Sequence, residues 1–406
     1  MGRDPGAVPL VRPPALRSDD ARGATRLELF FDLAYVLAVA ALSENLLVDL
    51  DWSGVGEFVF LLLLVWLSWV QFTLYNNRFD TDDLVLRLGK LAAMAAILGC
   101  AASMSDATGS LSTPFAASYL AGRVVLMLLY ARAWRHVEQA RATIAVYVVA
   151  TSVVAALWAI SLATPPPVRF VLWGIGAVVD IVAPILATRR SPPAPLHLEH
   201  LPERFGLLVI LVLGELIAAV VTGLHDAKWD GRSTALAGIA FLVAAAAWWA
   251  YFDVSGSISA DALQEGEQQA EAEEQAADVP AGDDLIKVDE RHDLFVYGHL
   301  PVTGGLLAAG VGVEELILQP RNPLPSTGSW LLAAGLAVFL TGAAVISGGS
   351  QRRIGRALRW PGLGVVAVLA VGVFGPSDPL AFGVVLALVL TVVAAVGTVL
   401  SRQHRA

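Results

Sequence analysis

Charged side chains inside long apolar segments are the first feature of this chain that could do chemistry. Glu28 and Asp32 stand one helical turn apart, and Tyr35 continues their stripe. Ser43 returns to nearly the same helical face. Arg123 and Glu215 fall near the middle of two other apolar segments. They are expected to pair, because either charge alone would be costly. Asp180 and His299 lie nearer the ends of theirs, and His299 sits beside Gly298 and Pro301, where a helix break is expected. A charge at the centre of a membrane helix costs about 2.5–3.5 kcal/mol on insertion scales, which makes such residues functional candidates. Asp80, Asp83, Arg87, Glu203, Arg204 and Asp253 join them at the helix mouths. Two roles compete for this polar set. One is a proton, ion or solute pathway opening toward the cytoplasm, favoured by the clustering at similar depth. The other is a set of interhelical pairs that fix packing.

Other motifs carry less. His197-Leu-Glu199-His200 lacks the i to i+4 spacing of a zinc helix and follows a proline-rich turn, so a helix-mouth role is expected. Asp80-Thr-Asp82-Asp83 could group carboxylates around a cation. Its last two carboxylates precede an apolar helix, however, where capping and the helix dipole account for them. No phosphate loop, dinucleotide fingerprint or serine elbow is present, and nothing supports nucleic-acid binding. No cofactor and no metal are expected.

The elements that must position these residues are helices. The 406-residue chain is 56 % hydrophobic and 16 % charged, where a soluble chain carries about 25 % charged residues. Its apolar residues come in blocks near twenty residues, the length that crosses a hydrocarbon core about 30 Å thick. In lipid the backbone must satisfy itself, so the blocks read as helices. Twelve spans are expected, near 27–48, 55–75, 84–105, 115–135, 143–163, 168–187, 205–224, 233–254, 293–317, 330–349, 357–374 and 380–400. The fold class is an all-α polytopic bundle. Cys100, the only cysteine, excludes an intramolecular disulfide. The N-terminal stretch has no apolar core of its own, so no cleavable signal peptide is expected.

Lys and Arg fall overwhelmingly on one side. Arg3, Arg12, Arg17, Arg22 and Arg26 mark the N-terminal tail, while Arg169, Lys228, Arg232 and Arg321 mark the opposite face. Both termini are therefore expected in the cytoplasm. The organisation reads as a tail (1–26), a first transmembrane half (27–190), a second half (191–400) and a short tail (401–406). An acidic loop, 257–292, interrupts the second half. Its first part could form a surface helix, whereas Pro280, Gly282 and the Asp run should keep the rest irregular. Glu28-Leu-Phe30 and Glu203-Arg-Phe205 open the first and seventh spans alike, which suggests two parallel six-helix repeats. Chance likeness between apolar segments is the competing explanation.

Four segments taken together resemble the bacterial low temperature requirement protein A family. They are Glu28-Leu-Phe-Phe-Asp-Leu33, Asn77-Arg-Phe-Asp-Thr-Asp-Asp83, Glu203-Arg-Phe-Gly206 running into Leu213-Gly-Glu215, and Gly298-His-Leu300. The resemblance covers roughly residues 20 to 400. It implies a multi-pass inner-membrane protein, named for a requirement during growth in the cold, without an assigned activity. The expected function is proton- or cation-coupled movement of a small solute, with Glu28 and Asp32 as carriers and Glu215 balanced by Arg123. The alternatives are an intramembrane enzyme acting on lipid or isoprenoid-like substrates through Asp32, His299 and Glu203, and a sensor or scaffold using the acidic loop. The expected partners are the lipid bilayer and an unidentified small solute or ion.

Overall fold

The computed structural model describes residues 10–16, 25–80, 82–190, 201–256, 282–349 and 359–405. Among the described residues the chain is 86 % helical, with twelve helices. They are α1 Arg26–Val48, α2 Trp52–Arg78, α3 Leu84–Ala102, α4 Ser112–His136, α5 Arg141–Leu162 and α6 Val168–Arg190. They continue as α7 Leu201–Asp226, α8 Gly231–Trp249, α9 Gly282–Leu318, α10 Thr327–Gly349, α11 Arg359–Phe374 and α12 Pro379–Arg405. Ten are long and apolar enough to cross a membrane. Of the span expected at 357–374, the described residues form α11, whose apolar stretch is Pro361–Phe374.

One local expectation changes: residues 282–292, expected in the acidic loop, belong to α9. In the N-terminal tail, Ala15–Leu16 (β1) pairs antiparallel with Phe79–Asp80 (β2). The 197–200 segment lies outside the described residues.

The chain divides into two compact units. Unit 1 comprises Met1–Ala41 with Leu63–His200, and unit 2 comprises Leu42–Leu62 with Leu201–Ala406. Within unit 1, α3 packs on α4, α4 on α5 and α5 on α6. The C-terminal half of α2 is its hub. Trp69 bonds to α1, Tyr75 to α4, Arg78 to α5 and Gln71 to α6. Ser68, Gln71, Tyr75 and Arg78 follow the i, i+3, i+7 rhythm of one helical face.

Within unit 2, α9 packs along α10 and against α7, and α8 packs against α12. The α9–α10 seam is built on glycine. Gly298, Gly305 and Gly312 recur every seventh residue, as do Gly328, Gly335 and Gly342 on the partner helix. A Cβ on Gly305 would stand 2.5 Å from the Gly335 carbonyl oxygen and the Phe339 nitrogen. The two backbones touch, which only glycine allows at this separation.

Candidate functional site

Unit 1 holds buried charge at bilayer depth. Asp32 is fully buried on α1, and its Oδ1 accepts the Trp69 indole N–H at 2.9 Å. One turn further, the Tyr35 and Ser68 hydroxyls share a hydrogen bond of 3.0 Å. Deeper in the bundle, Arg123 of α4 forms an ion pair with Asp180 of α6, both side chains almost wholly buried. The Arg123 Nη2 also donates to the Tyr119 hydroxyl at 2.6 Å and lies over that ring. Tyr119 donates in turn to the Leu64 carbonyl at 3.1 Å. Gln71 donates to the Asp180 backbone oxygen at 3.0 Å, tying the same turn of α6 to α2.

The expected pairing of Arg123 with Glu215 is thereby corrected, since the carboxylate on Arg123 is that of Asp180. Both acids lie inside apolar helices, and depth alone does not discriminate between them. The chain order does: α4, α5 and α6 pack in succession, which brings α6 within reach of a long Arg side chain on α4.

Several other sequence candidates have structural assignments. Glu28 closes a capping box with Thr25: Thr25 N–H donates to Glu28 Oε2 at 3.0 Å, and Glu28 N–H to Thr25 Oγ1 at 3.2 Å. Its other oxygen accepts Lys90 Nζ at 3.2 Å, both side chains buried. Asp83 caps α3 through the Leu86 N–H at 3.0 Å, as expected of a carboxylate before a helix. It also pairs with Arg132 at 2.6 Å and accepts the Arg12 backbone N–H at 3.1 Å. Burial alone would raise the Asp83 pKa. The Arg132 guanidinium and the two backbone donors outweigh burial and hold it below the usual carboxylate range. Arg132 further donates to the Arg12 carbonyl, so the N-terminal tail is clasped over the ends of α3 and α4.

Arg87 is exposed and pairs with Asp82 at 2.8 Å. Asp80 lies in β2, and its side chain falls outside the described residues. Glu203 and Asp253 are exposed, and Arg204 is buried in the first turn of α7. His299 is fully buried, with both ring nitrogens engaged. Its Nδ1 lies 2.7 Å from the Phe295 carbonyl, which only accepts, so Nδ1 carries the proton. The Nε2 therefore accepts from the Tyr251 hydroxyl, also at 2.7 Å. Phe205 and Phe295 pack on the imidazole. Tyr251 belongs to a π-helical turn over Ala250–Gly256 that continues α8.

Glu215 is half-buried on α7 and gathers company that sequence reasoning passed over. Glu44 lies within electrostatic reach of both Glu215 and Glu314, and Glu314 also feels Asp226. These four carboxylates belong to unit 2 and come from α1, α7 and α9. The signal was available: Glu44 and Glu314 each sit near the end of an apolar block, and Lys90 lies inside another. Outside the helices, Asp230 caps α8, and the Arg321 guanidinium 2.9 Å away lowers its pKa. Among the described residues, no group of three or more His, Cys, Asp or Glu is placed to hold a metal ion.

Comparisons with known proteins agree with this membrane bundle. An uncharacterized protein of Rhizobium meliloti (strain 1021) is 28 % identical over 312 residues, covering 74 % of this chain and 71 % of the relative. No solved structure matches. A family model described as the bacterial low temperature requirement A protein (LtrA) matches residues 23–396, and the chain belongs to that family, a multi-pass membrane protein of many apolar helices.

Proposed function

We propose that this LtrA family protein couples proton or cation movement to the passage of a small solute across the bacterial inner membrane. The observation that carries the reading is the presence of two fully buried carboxylates, Asp32 and Asp180, inside one bundle of apolar helices. A bilayer makes such groups expensive, so they are retained where a charge must move or be met. Asp32 is the proton or cation carrier. Its Oδ1 accepts the neutral indole N–H of Trp69. The Arg123–Asp180 pair is a charge-balanced post beside the path. Glu28, occupied by its capping box and by Lys90, is a structural residue and gives up the carrier role.

The placement of basic residues supports both termini on the cytoplasmic side. The ends of α1, α7 and α9 that bear Glu44, Asp226 and Glu314 then lie toward the external face, with Glu215 further along α7, and such a set of carboxylates raises the local cation concentration. The test is proton and monovalent-cation flux into liposomes loaded with purified protein. Flux above that of empty liposomes, reduced by Glu215→Gln, is expected. Folded protein that passes neither protons nor Na+ or K+ under an imposed gradient would overturn the reading.

A further inference from the structure

Among the described residues, unit 1 buries the guanidiniums of Arg78, Arg123 and Arg169, and all but one are met. Arg123 has Asp180. Arg169 has no carboxylate, yet it is satisfied. Its Nε donates to the Ser161 and Thr164 carbonyls at 3.0 and 3.1 Å, and its Nη1 to the Ser112 and Thr113 hydroxyls at 2.6 and 2.9 Å. Those carbonyls form the C-terminal end of α5, the negative pole of its dipole.

Arg78 is the exception. It is 3 % exposed, and its Nη2 donates to the Tyr147 hydroxyl at 2.7 Å. Its guanidinium lies 4.5 Å over the Tyr147 ring. Among the described residues, Nε and Nη1 have no hydrogen-bond partner and no carboxylate pairs with it. A guanidinium cannot shed its proton to escape burial, so its charge calls for a counter-ion.

A second orphan stands beside it. Tyr130 is fully buried, with its ring stacked on Tyr147 at 5.2 Å and edge-on to Tyr75 at 5.0 Å. Its hydroxyl lies next to the Arg78 guanidinium but makes no hydrogen bond of normal geometry. The phenol oxygens of Tyr130 and Tyr147 can face the guanidinium but carry no charge, so among the described residues the positive charge of Arg78 is not neutralised.

We infer that Arg78 and Tyr130 form a binding site for a monoanionic phosphate group, either dissolved phosphate or the phosphodiester of a bilayer lipid. One uncompensated positive charge among neutral phenols matches a single negative charge. Depth fits as well. At 1.5 Å per residue the 27 residues of α2 span about 40 Å, close to a bilayer with its headgroup layers. Arg78, its last residue, thus stands at headgroup level. This site goes beyond the transport reading and does not depend on it.

The experiment uses the full-length protein purified in detergent without phosphate. Its melting temperature is followed during titration with inorganic phosphate, against chloride of equal ionic strength, and retained phospholipid is measured by native mass spectrometry. A saturable rise specific to phosphate assigns the site to the dissolved ion. A retained phospholipid that survives detergent exchange assigns it to lipid. In either case Arg78→Gln abolishes the signal. Tyr130→Phe, which removes one hydroxyl and keeps the packing, weakens it about tenfold, the size of one charge-assisted hydrogen bond. Should Arg78→Gln fail to fold, Tyr130→Phe alone decides. Folded wild-type protein showing neither signal would overturn the assignment, as would Tyr130→Phe giving the same signal as wild type.

Discussion

The two units solve the problem of packing helices in lipid in opposite ways. Unit 1 is held by polar side chains that reach between helices: Trp69 to Asp32, Arg123 to Asp180, Lys90 to Glu28 and Tyr75 to the Leu129 carbonyl. Unit 2 is held along α9 and α10 by removing side chains, so that the backbones meet at Gly305, Gly312 and Gly335. A glycine seam gains dispersion contacts and backbone proximity at no cost in buried charge. Buried ion pairs are weak devices for stability, because desolvation offsets most of their attraction. A unit that keeps several of them is therefore the better place to look for function.

The sharpest way to break this comparison is at the glycine seam. In Gly305→Val, a Cβ 2.5 Å from backbone atoms of α10 cannot be accommodated by a side-chain shift. Size-exclusion chromatography is expected to show no monodisperse protein. Gly238→Val on α8, where nothing lies within 4 Å of the new Cβ, should behave like wild type. Equal behaviour of the two variants would sink the seam.

Next in size is Asp180→Ala, which leaves the Arg123 charge buried and alone. A loss of about 3–5 kcal/mol is expected, read as a large fall in melting temperature. Adding Arg123→Met should recover most of it. In unit 2, Tyr251→Phe removes the single donor to His299 Nε2 and should cost about 1–3 kcal/mol. It is expected to leave flux intact, since both imidazole nitrogens are engaged within unit 2, whereas Asp32 of the proposed path belongs to unit 1.

The smallest effect concerns the tail clasp. The folded pKa of Asp83 lies below its unfolded value. Its contribution is therefore complete above about pH 4 and disappears only as pH falls through the lower folded value. Exchange of the Leu84 amide, which donates to the Leu10 carbonyl at 2.9 Å, should show equal protection factors at pH 7 and pH 5. Asp83→Asn should lower that protection at pH 7. Unchanged protection in this variant would remove Asp83 from the clasp.

Much of this architecture is legible in the sequence, because span length and apolar blocks follow directly from bilayer thickness. Local devices are legible too: Thr25-x-x-Glu28 is a capping box in plain text, and Asp83 and Asp230 stand where an N-cap is needed. What is not legible is partnership. Arg123 has acids at comparable depth on α6 and α7, and only helix adjacency selects Asp180. Nor does the sequence say that Lys90, inside an apolar block, and Arg78, at the end of one, both turn inward and are buried. The seven-residue glycine rhythm was present on two helices, but its meaning depends on those helices being neighbours. His299 looked reactive from its sequence context, and only the Tyr251 and Phe295 contacts show that both nitrogens are occupied.

The most direct test of the claim that unit 1 carries the function is the near-isosteric variant Asp32→Asn, followed in one preparation by proton flux in liposomes and by melting temperature. Loss of flux with a melting temperature within a few degrees of wild type is the predicted result. Full flux through folded Asp32→Asn protein would contradict the account, and would leave the buried carboxylates of unit 1 as packing devices.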